Sequence, residues 1–154
     1  MKRQKITEGS IVEISINNEY YVYAQILNKG LGYAFFDFRS KEKLKNLEIL
    51  TGCSVLFIVS IYAHVITQGE WLKIGKLPIR KDLETLPFKF IQDRHNSKYL
   101  RLYNPNTGEI SKASKMDCVN LERAAVWDSN HVEDRIRDYY LGVPNVWLEN
   151  QKLM

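Results

Sequence analysis

The architecture follows from two adjacent hydrophobic runs, Ile11-Val-Glu-Ile-Ser-Ile16 and Tyr20-Tyr-Val-Tyr-Ala-Gln-Ile-Leu27, and from the turn Asn17-Asn-Glu19 between them. Within each run, side chains two residues apart fall on the same face, and three β-branched apolar residues of the first run share one. The two asparagines tolerate the left-handed backbone that a tight hairpin requires. The segment therefore predicts an antiparallel β-hairpin.

A second turn, Asn28-Lys-Gly30, leads into a third hydrophobic run, Tyr33-Ala-Phe-Phe-Asp-Phe38. Three strands joined by short turns form an antiparallel meander, and such a sheet has to curl or close to bury its apolar face. The pattern also predicts a short helix at residues 40–50, with Ser40 as its cap. Further short strands are expected at residues 71–74, 88–92, 99–103 and 110–113. The chain is therefore predicted to be mostly β.

Residues 51–69 contain no Asp, Glu, Lys or Arg, so a membrane helix has to be considered there. Such a helix needs about 20 predominantly apolar residues. The apolar part spans only residues 53–66, and two serines and His64 interrupt it. It is rich in Val and Ile, which fit a packed sheet better than a helix. We predict a buried central strand around residues 55–62 and no membrane association.

Near the C-terminus the spacing of hydrophobic residues changes from the two-residue period of a strand to the period of a helix. Val132, Ile136, Tyr139 and Tyr140 fall on one face of a helix, because they are spaced at i, i+4, i+7 and i+8. Residues 128–130 offer cap oxygens at the start of this stripe, and Asn130 has Glu133 three residues on, close to capping-box spacing. Gly142 is suited to end the helix. The pattern predicts a C-terminal α-helix over about residues 129–141.

Length and composition place the chain among ordinary globular proteins. Its 154 residues fit a single domain, which we expect to be β-rich over residues 9–113 with a helical extension over 114–154. Hydrophobic residues make up 45% and charged residues 26%, which excludes disordered, collagenous and disulfide-dense classes. The net charge is +4, but the last third carries 7 basic and 8 acidic groups. The C-terminal part is therefore the expected contact for a basic partner.

Few residues are suited to redox or metal chemistry. The two cysteines, Cys53 and Cys118, cannot build a disulfide framework, and no signal-peptide hydrophobic region follows the basic N-terminus. We therefore expect a cytoplasmic protein. The three histidines, His64, His95 and His131, lack the spacing of a metal site. No metal, cofactor or catalytic residue is predicted.

Asp37 stands out because it lies among aromatic residues, where burial can raise the pKa of a carboxyl group. It shares a strand face with Tyr33 and Phe35 and would suit a functional site. The simpler interpretation is a carboxylate that ends a strand and pairs with the nearby Arg39. A hydrolytic site combining Asp37 with a histidine is a third hypothesis.

Tyr99, Arg101 and Tyr103 line one face of the strand predicted at residues 99–103. Tyrosines beside an arginine are the residue types that base stacking and phosphate contact need. An exposed face of an ordinary sheet has the same composition and is the favoured interpretation, since no named nucleic-acid motif accompanies it. Binding of single-stranded nucleic acid is kept as the alternative function.

Several sequence blocks carry a resemblance to a known family. They include Gly9-Ser-Ile-Val-Glu-Ile-Ser-Ile16, residues 18–27 and 35–38, Val55-Leu-Phe-Ile-Val59, Gly69-Glu-Trp-Leu-Lys-Ile-Gly75, residues 86–88 and 91–93, and, nearer the C-terminus, residues 122–128, 131–137 and 142–147. Together they resemble the immunity protein 26 family of bacterial polymorphic-toxin immunity proteins. Ser15 departs from the family pattern, where a proline is expected, and so does Glu19, where a glycine is expected.

The resemblance implies a small, mostly β protein that is encoded beside a toxin, binds it and protects the producing cell. It also implies that the meander curls into an SH3-like, partly closed barrel. The family name is sometimes coupled to phosphotriesterase activity, which normally needs a clustered metal site that this sequence lacks. We therefore expect an immunity protein that occludes its toxin without catalysis, acting in the cytoplasm on a toxin such as a nuclease.

The C-terminal helix is the first candidate for toxin docking. Its apolar stripe packs inward, so the charged side chains expected to point largely to solvent are Glu133, Asp134, Arg137 and Asp138. The three acids would steer a basic toxin, although a plain solvated helix face has the same pattern. Trp147 would supply an apolar anchor if exposed. The secondary candidates are Tyr21, Tyr23, Asp37 and Arg39.

Overall fold

The computed structural model describes residues 3–154, and β-strands dominate it. The strands are β1 (Ser10–Ile16), β2 (Tyr20–Leu27), β3 (Gly32–Ser40), β4 (Val55–Ile61), β5 (Leu72–Lys76), β6 (Lys89–Gln92), β7 (Leu100–Tyr103), β8 (Ile110–Ala113), β9 (Glu122–Arg123) and β10 (Val126–Trp127). The α-helices are α1 (His64–Thr67), α2 (Lys115–Cys118), α3 (Ser129–Leu141) and α4 (Val146–Glu149). Short 3₁₀ helices span Asn28–Gly30, Leu47–Gly52 and Lys81–Leu83. The predicted mostly β fold with a C-terminal helix is confirmed.

The first sheet has six strands in the order β10-β4-β3-β2-β1-β5. Strands β1, β2 and β3 form the predicted antiparallel meander. β4 adds antiparallel to β3, and the parallel strand β10 extends the sheet beside β4. Asn17 and Asn18 have φ values of 52° and 58°, the left-handed conformation that the hairpin turn requires. The uncharged stretch forms β4, and no helix within residues 3–154 is long and apolar enough to cross a membrane.

Both faces of this sheet are covered, which is why β2 is buried from Val22 to Leu27. One face packs against α3 through Val132 and Ile136, together with Trp71 and Trp127. The other face is covered by the segment 44–50 and by Leu83 and Leu86. Register shifts bend the ladders between neighbouring strands. Over residues 3–154, β5 and β10 remain the two edges, so the sheet curls without closing into a barrel, and its SH3-like character stays a prediction.

A second, smaller sheet has the order β8-β7-β6-β9. One of its faces packs on a hydrophobic cluster of Phe90, Leu100 and Cys118, with Leu153 from the C-terminal tail against it. β6 and β9 run parallel, whereas β6, β7 and β8 form an antiparallel unit. The strands expected at residues 88–92, 99–103 and 110–113 therefore belong to a sheet separate from the meander.

Arg135 of α3 connects the helix to both sheets. Its guanidinium donates to both carboxylate oxygens of Glu122 in β9, at 3.0 and 2.7 Å. It also lies 3.6 Å from the ring centroid of Phe57 in β4. Because this pair is largely buried, the position of α3 depends on it.

Two local predictions are wrong. β3 continues through Ser40, which pairs with Tyr21, so the helix expected at residues 40–50 is replaced by a later 3₁₀ helix capped by Asn46. α3 begins at Ser129 with Asp128, one of the expected cap residues, as its N-cap, whereas Asn130 is inside the helix and does not start a capping box. Strand pairing overrides local capping signals in the first case. The predicted end of α3 is confirmed, since Gly142 adopts φ 71°.

Candidate functional site

A group of aromatic and charged side chains surrounds Asp37, where β3 meets α3. A register shift in β3 precedes Asp37, whose backbone N–H donates to the Ser54 carbonyl at 2.8 Å. The hydroxyl of Tyr140 donates to Oδ1 of Asp37 at 3.1 Å, and the hydroxyl of Tyr139 donates to Oδ2 at 3.3 Å. We call the following residues the Asp37 cluster: Tyr20, Asp37, Arg39, Tyr139 and Tyr140.

Arg39 is held by aromatic rings rather than by Asp37. Its guanidinium carbon lies 4.5 Å from the ring centroid of Tyr140 and 5.2 Å from that of Tyr20. No ion pair within 4.0 Å joins Arg39 to Asp37. The expected Asp37–Arg39 pair is therefore wrong, because tyrosine hydroxyls from α3 contact the carboxylate and two rings contact the guanidinium.

The two hydroxyls that contact Asp37 remain protonated at neutral pH. The charge of Asp37 raises the pKa of Tyr139, and burial, followed by the hydrogen bond to Asp37, raises the pKa of Tyr140. No histidine nitrogen lies within 4.0 Å of the Asp37 carboxylate. Within residues 3–154 there is also no group of three His, Cys, Asp or Glu side chains suited to a metal ion. The hydrolase hypothesis therefore gains no support from the contacts of Asp37.

Members of the Asp37 cluster line two cavities. One, of about 660 Å³, is lined by Tyr20 and Arg39 with residues 19, 40 and 41. The other, of about 220 Å³, is lined by Tyr139 and by mostly apolar residues that include Phe57, Val143 and Pro144. The cluster therefore contributes side chains to two concave surfaces.

Exposed apolar side chains continue the surface beyond Tyr139. Tyr139 is 51% exposed, and Leu141, Val143 and Val146 are 65%, 48% and 59% exposed. Sequence reasoning missed these residues, because it treated the segment after Gly142 as the end of the helix. The available signal was an apolar run that continues past a helix stop.

The family assignment comes from a comparison with known proteins. A family model described as immunity protein 26 matches residues 7–101. This chain belongs to the immunity protein 26 family. Membership implies an immunity role and a cognate toxin as the partner. No curated protein and no solved structure matches the chain.

The Asp37 cluster joins the part of the chain that matches immunity protein 26 to the part that does not. Asp37 and Arg39 lie inside the matched residues 7–101, whereas Tyr139 and Tyr140 lie beyond them. The family region thus supplies the carboxylate and the guanidinium, and α3 supplies the two hydroxyls. The site therefore combines residues inside the matched range with residues beyond it.

The acidic residues of α3 already have hydrogen-bond partners within this immunity protein. Glu133 accepts a hydrogen bond from the Trp71 indole at 2.9 Å, and Asp134 accepts from the Trp147 indole at 3.0 Å. Asp138 accepts from the Asn145 side chain at 2.9 Å. Arg137 donates to Asp134 and Asp138, and all four charged side chains are half-buried. The expectation that they point largely to solvent is wrong, because groups from other segments cover them.

The other predicted docking residues are also less accessible than expected. Trp147 is half-buried and stacks on His131 with ring centroids 3.7 Å apart. Tyr23 is fully buried, and its hydroxyl donates to Glu13 and accepts from the backbone N–H of Leu44. Tyr23 is buried because the segment 44–50 covers this side of the meander, whereas Tyr21 remains half-exposed.

Arg101 and Tyr103 belong to β7 of the second sheet, and Tyr99 directly precedes that strand. Their alternation along β7 is confirmed, and the Arg101 guanidinium carbon lies 5.3 Å from the ring centroid of Tyr99. Tyr99 is exposed and the other two are half-buried. The structure therefore brings these three residues together and keeps them apart from the Asp37 cluster.

Proposed function

We propose that this immunity protein binds its cognate toxin directly and blocks it by occlusion without catalysis, with the Asp37 cluster as the anchor of the interface. The observation that carries the proposal is the Asp37 carboxylate itself, held by two tyrosine hydroxyls in a cluster whose other members line two cavities. A partner that enters those cavities would contact the Asp37 cluster.

The composition of the Asp37 cluster favours binding energy concentrated in a few residues. Tyrosine and arginine are enriched at the energetic centres of protein interfaces. Three tyrosines and one arginine meet here, and hydrogen bonds and ring contacts hold each of them in place. Side chains that are already ordered lose little conformational entropy on binding, so more of the contact energy remains as affinity.

The charge of Asp37 favours a cationic side chain on the toxin. An ionised carboxylate offers about four acceptor positions, and the two tyrosines occupy one on each oxygen. In the described part of the chain no Lys, Arg or His nitrogen lies within 4.0 Å of Asp37. A lysine or arginine of the toxin would donate a charge-assisted hydrogen bond to a remaining acceptor position of the carboxylate and would contact the tyrosine rings.

The apolar side chains next to Tyr139 supply the rest of the surface. A stable protein interface buries about 1,200–2,000 Å² in total and has an apolar centre. Leu141, Val143 and Val146 extend the Asp37 cluster in the direction of α4. The proposed interface therefore consists of a polar anchor at Asp37 and an apolar surface beside it.

Co-expression with the toxin encoded next to this gene tests the proposal. Wild type should restore growth of cells that make the toxin. Asp37→Asn should weaken binding to a catalytically inactive toxin at least tenfold in calorimetry, because truncating one member of a desolvated charge pair costs about 2–5 kcal/mol. Glu84→Gln makes the same charge change at an exposed position elsewhere and should bind like wild type.

Two outcomes would contradict the proposal. Full toxicity in the presence of well-expressed wild-type protein would exclude neutralisation. Wild-type affinity of both Asp37→Asn and Tyr139→Ala, with unchanged circular dichroism, would place the anchor elsewhere on the surface. Tyr139 is suited to the second variant because half of its side chain is exposed and its loss leaves the core intact.

A further inference from the structure

The second sheet exposes a face that combines cations with aromatic rings. Directly opposite residues on neighbouring antiparallel strands point to the same side, and here Arg101 lies opposite Lys112, and Tyr103 opposite Ile110. Tyr99 precedes β7 and follows the same alternation. We call these five residues the Tyr99 face.

The two cations of the Tyr99 face have no acidic partner. Within residues 3–154, no carboxylate lies within 4.0 Å of the charged groups of Arg101 or Lys112. Like charges directly opposite each other in a sheet are destabilising. Nε of Arg101 is buried and has no hydrogen-bond partner. The buried Nε does not reach a ligand, so the groups available to an anion are the terminal nitrogens of Arg101 and the exposed ammonium of Lys112.

Asp93, eight residues before Arg101, forms no ion pair with it. Asp93 accepts hydrogen bonds from the backbone N–H groups of His95 and Asn96 at 2.8 and 2.9 Å. Those bonds, more than the charge of Arg101, lower the pKa of Asp93. Arg94 and Lys98, in the same loop, are exposed and add positive charge beside the Tyr99 face.

The rings decide which class of anion fits. Alternate residues of a strand lie about 6.6–6.8 Å apart, so Arg101 is placed between the rings of Tyr99 and Tyr103. The Tyr99 ring is 43% exposed, and the Arg101 guanidinium already lies over it. Stacked bases alternating with phosphates need this order of ring, cation and ring. An acidic peptide would need the cations alone.

We propose that the Tyr99 face binds single-stranded nucleic acid, with Arg101 and Lys112 on phosphates and Tyr99 stacked on a base. The strands of this face and the Asp37 cluster share no residue, so this function is separate from toxin binding and does not depend on it. No base-edge readout is built into the face, and binding should be tolerant of sequence.

Fluorescence anisotropy of the full chain with labelled oligo-dT and oligo-U tests the proposal at about 50 and about 200 mM salt. Arg101→Gln/Lys112→Gln should weaken binding at least tenfold. It should also reduce the slope of log K against log salt by about 1.4, because each single-strand phosphate contact contributes about 0.7. Lys45→Gln/Lys81→Gln removes two exposed charges elsewhere and should change neither quantity.

The aromatic part of the proposal has its own pair of variants. Tyr99→Ala should weaken binding at least fivefold, whereas Tyr99→Phe keeps the ring and should bind like wild type. No binding at low salt would overturn the proposal. Equal weakening by the two double variants would overturn it too, and so would equal affinity for polyglutamate, which would make the face a surface for acidic proteins.

Discussion

The acidic side of α3 and the Tyr99 face of the second sheet both appear in the sequence as charged faces suited to a partner. They differ in what their charges contact in the structure. On α3, Asp134 and Asp138 accept hydrogen bonds from Trp147, Asn145 and Arg137 of the same molecule. On the Tyr99 face, none of the carboxylates in residues 3–154 reaches the cations. Charges of the first kind stabilise the fold, and charges of the second kind are available to a partner.

The physical basis of this difference is desolvation. A half-buried carboxylate loses part of its hydration and must recover it from donors inside the protein. The acids of α3 lie where other segments pack on the helix, so they have acquired such donors. The cations of the Tyr99 face remain partly hydrated and tolerate the absence of a partner. Asp37 is intermediate, since it has two neutral donors and no cation.

The largest expected effect comes from a charge that serves the fold. Arg135→Ala should lower the free energy of unfolding by about 3–5 kcal/mol in urea titrations, because it leaves Glu122 without its largely buried partner. Arg137→Ala, on the same helix but with more exposed pairs, should cost about 1 kcal/mol or less. Equal losses of stability in the two variants would contradict the argument that the more buried pair of Arg135 contributes more than the more exposed pairs of Arg137.

A smaller effect should appear in the pH dependence of stability. Burial raises the pKa of Glu133 above its unfolded value, so the folded state binds this proton more tightly. Its stabilising contribution is present at acidic pH and is lost as pH rises through the raised pKa. Glu133→Gln keeps an acceptor for the Trp71 indole without ionising. Its stability relative to wild type should therefore increase from about pH 4 to pH 7 in thermal melts.

A control of opposite sign sharpens this test. Backbone hydrogen bonds lower the pKa of Asp93, so its contribution is present at neutral pH and is lost as pH falls through the lowered value. The stability of Asp93→Asn relative to wild type should thus decrease between acidic and neutral pH. A profile for Glu133→Gln with the same sign as that for Asp93→Asn would contradict the argument from burial.

The smallest expected change in stability concerns the Tyr99 face. Arg101→Gln/Lys112→Gln should leave the free energy of unfolding within about 0.5 kcal/mol of wild type, or raise it, because it removes two like charges that face each other across β7 and β8. Urea titration measures this difference. A loss of more than about 1 kcal/mol would show that these cations serve the fold and would remove the contrast with α3.

Elements that depend on local pattern are predictable from the sequence. Alternating side chains and two asparagines encode the first hairpin, and the periodic stripe through Val132 and Ile136 encodes α3 over residues 129–141. The uncharged run became β4 as its β-branched residues indicate. These features are predictable because strand and helix periods, turn conformations and helix stops arise from residues that are neighbours in the chain.

Which charged and aromatic side chains remain accessible depends on packing between segments that are distant in the chain. Asp37 meets Tyr139 and Tyr140 from about a hundred residues away, Glu133 meets Trp71, and the segment 44–50 buries Tyr23. No periodicity encodes such partners, because each is set by how two distant segments pack once the sheet has curled. A charge on the solvent side of a helical wheel is therefore exposed only if no other segment covers it, and on α3 other segments do.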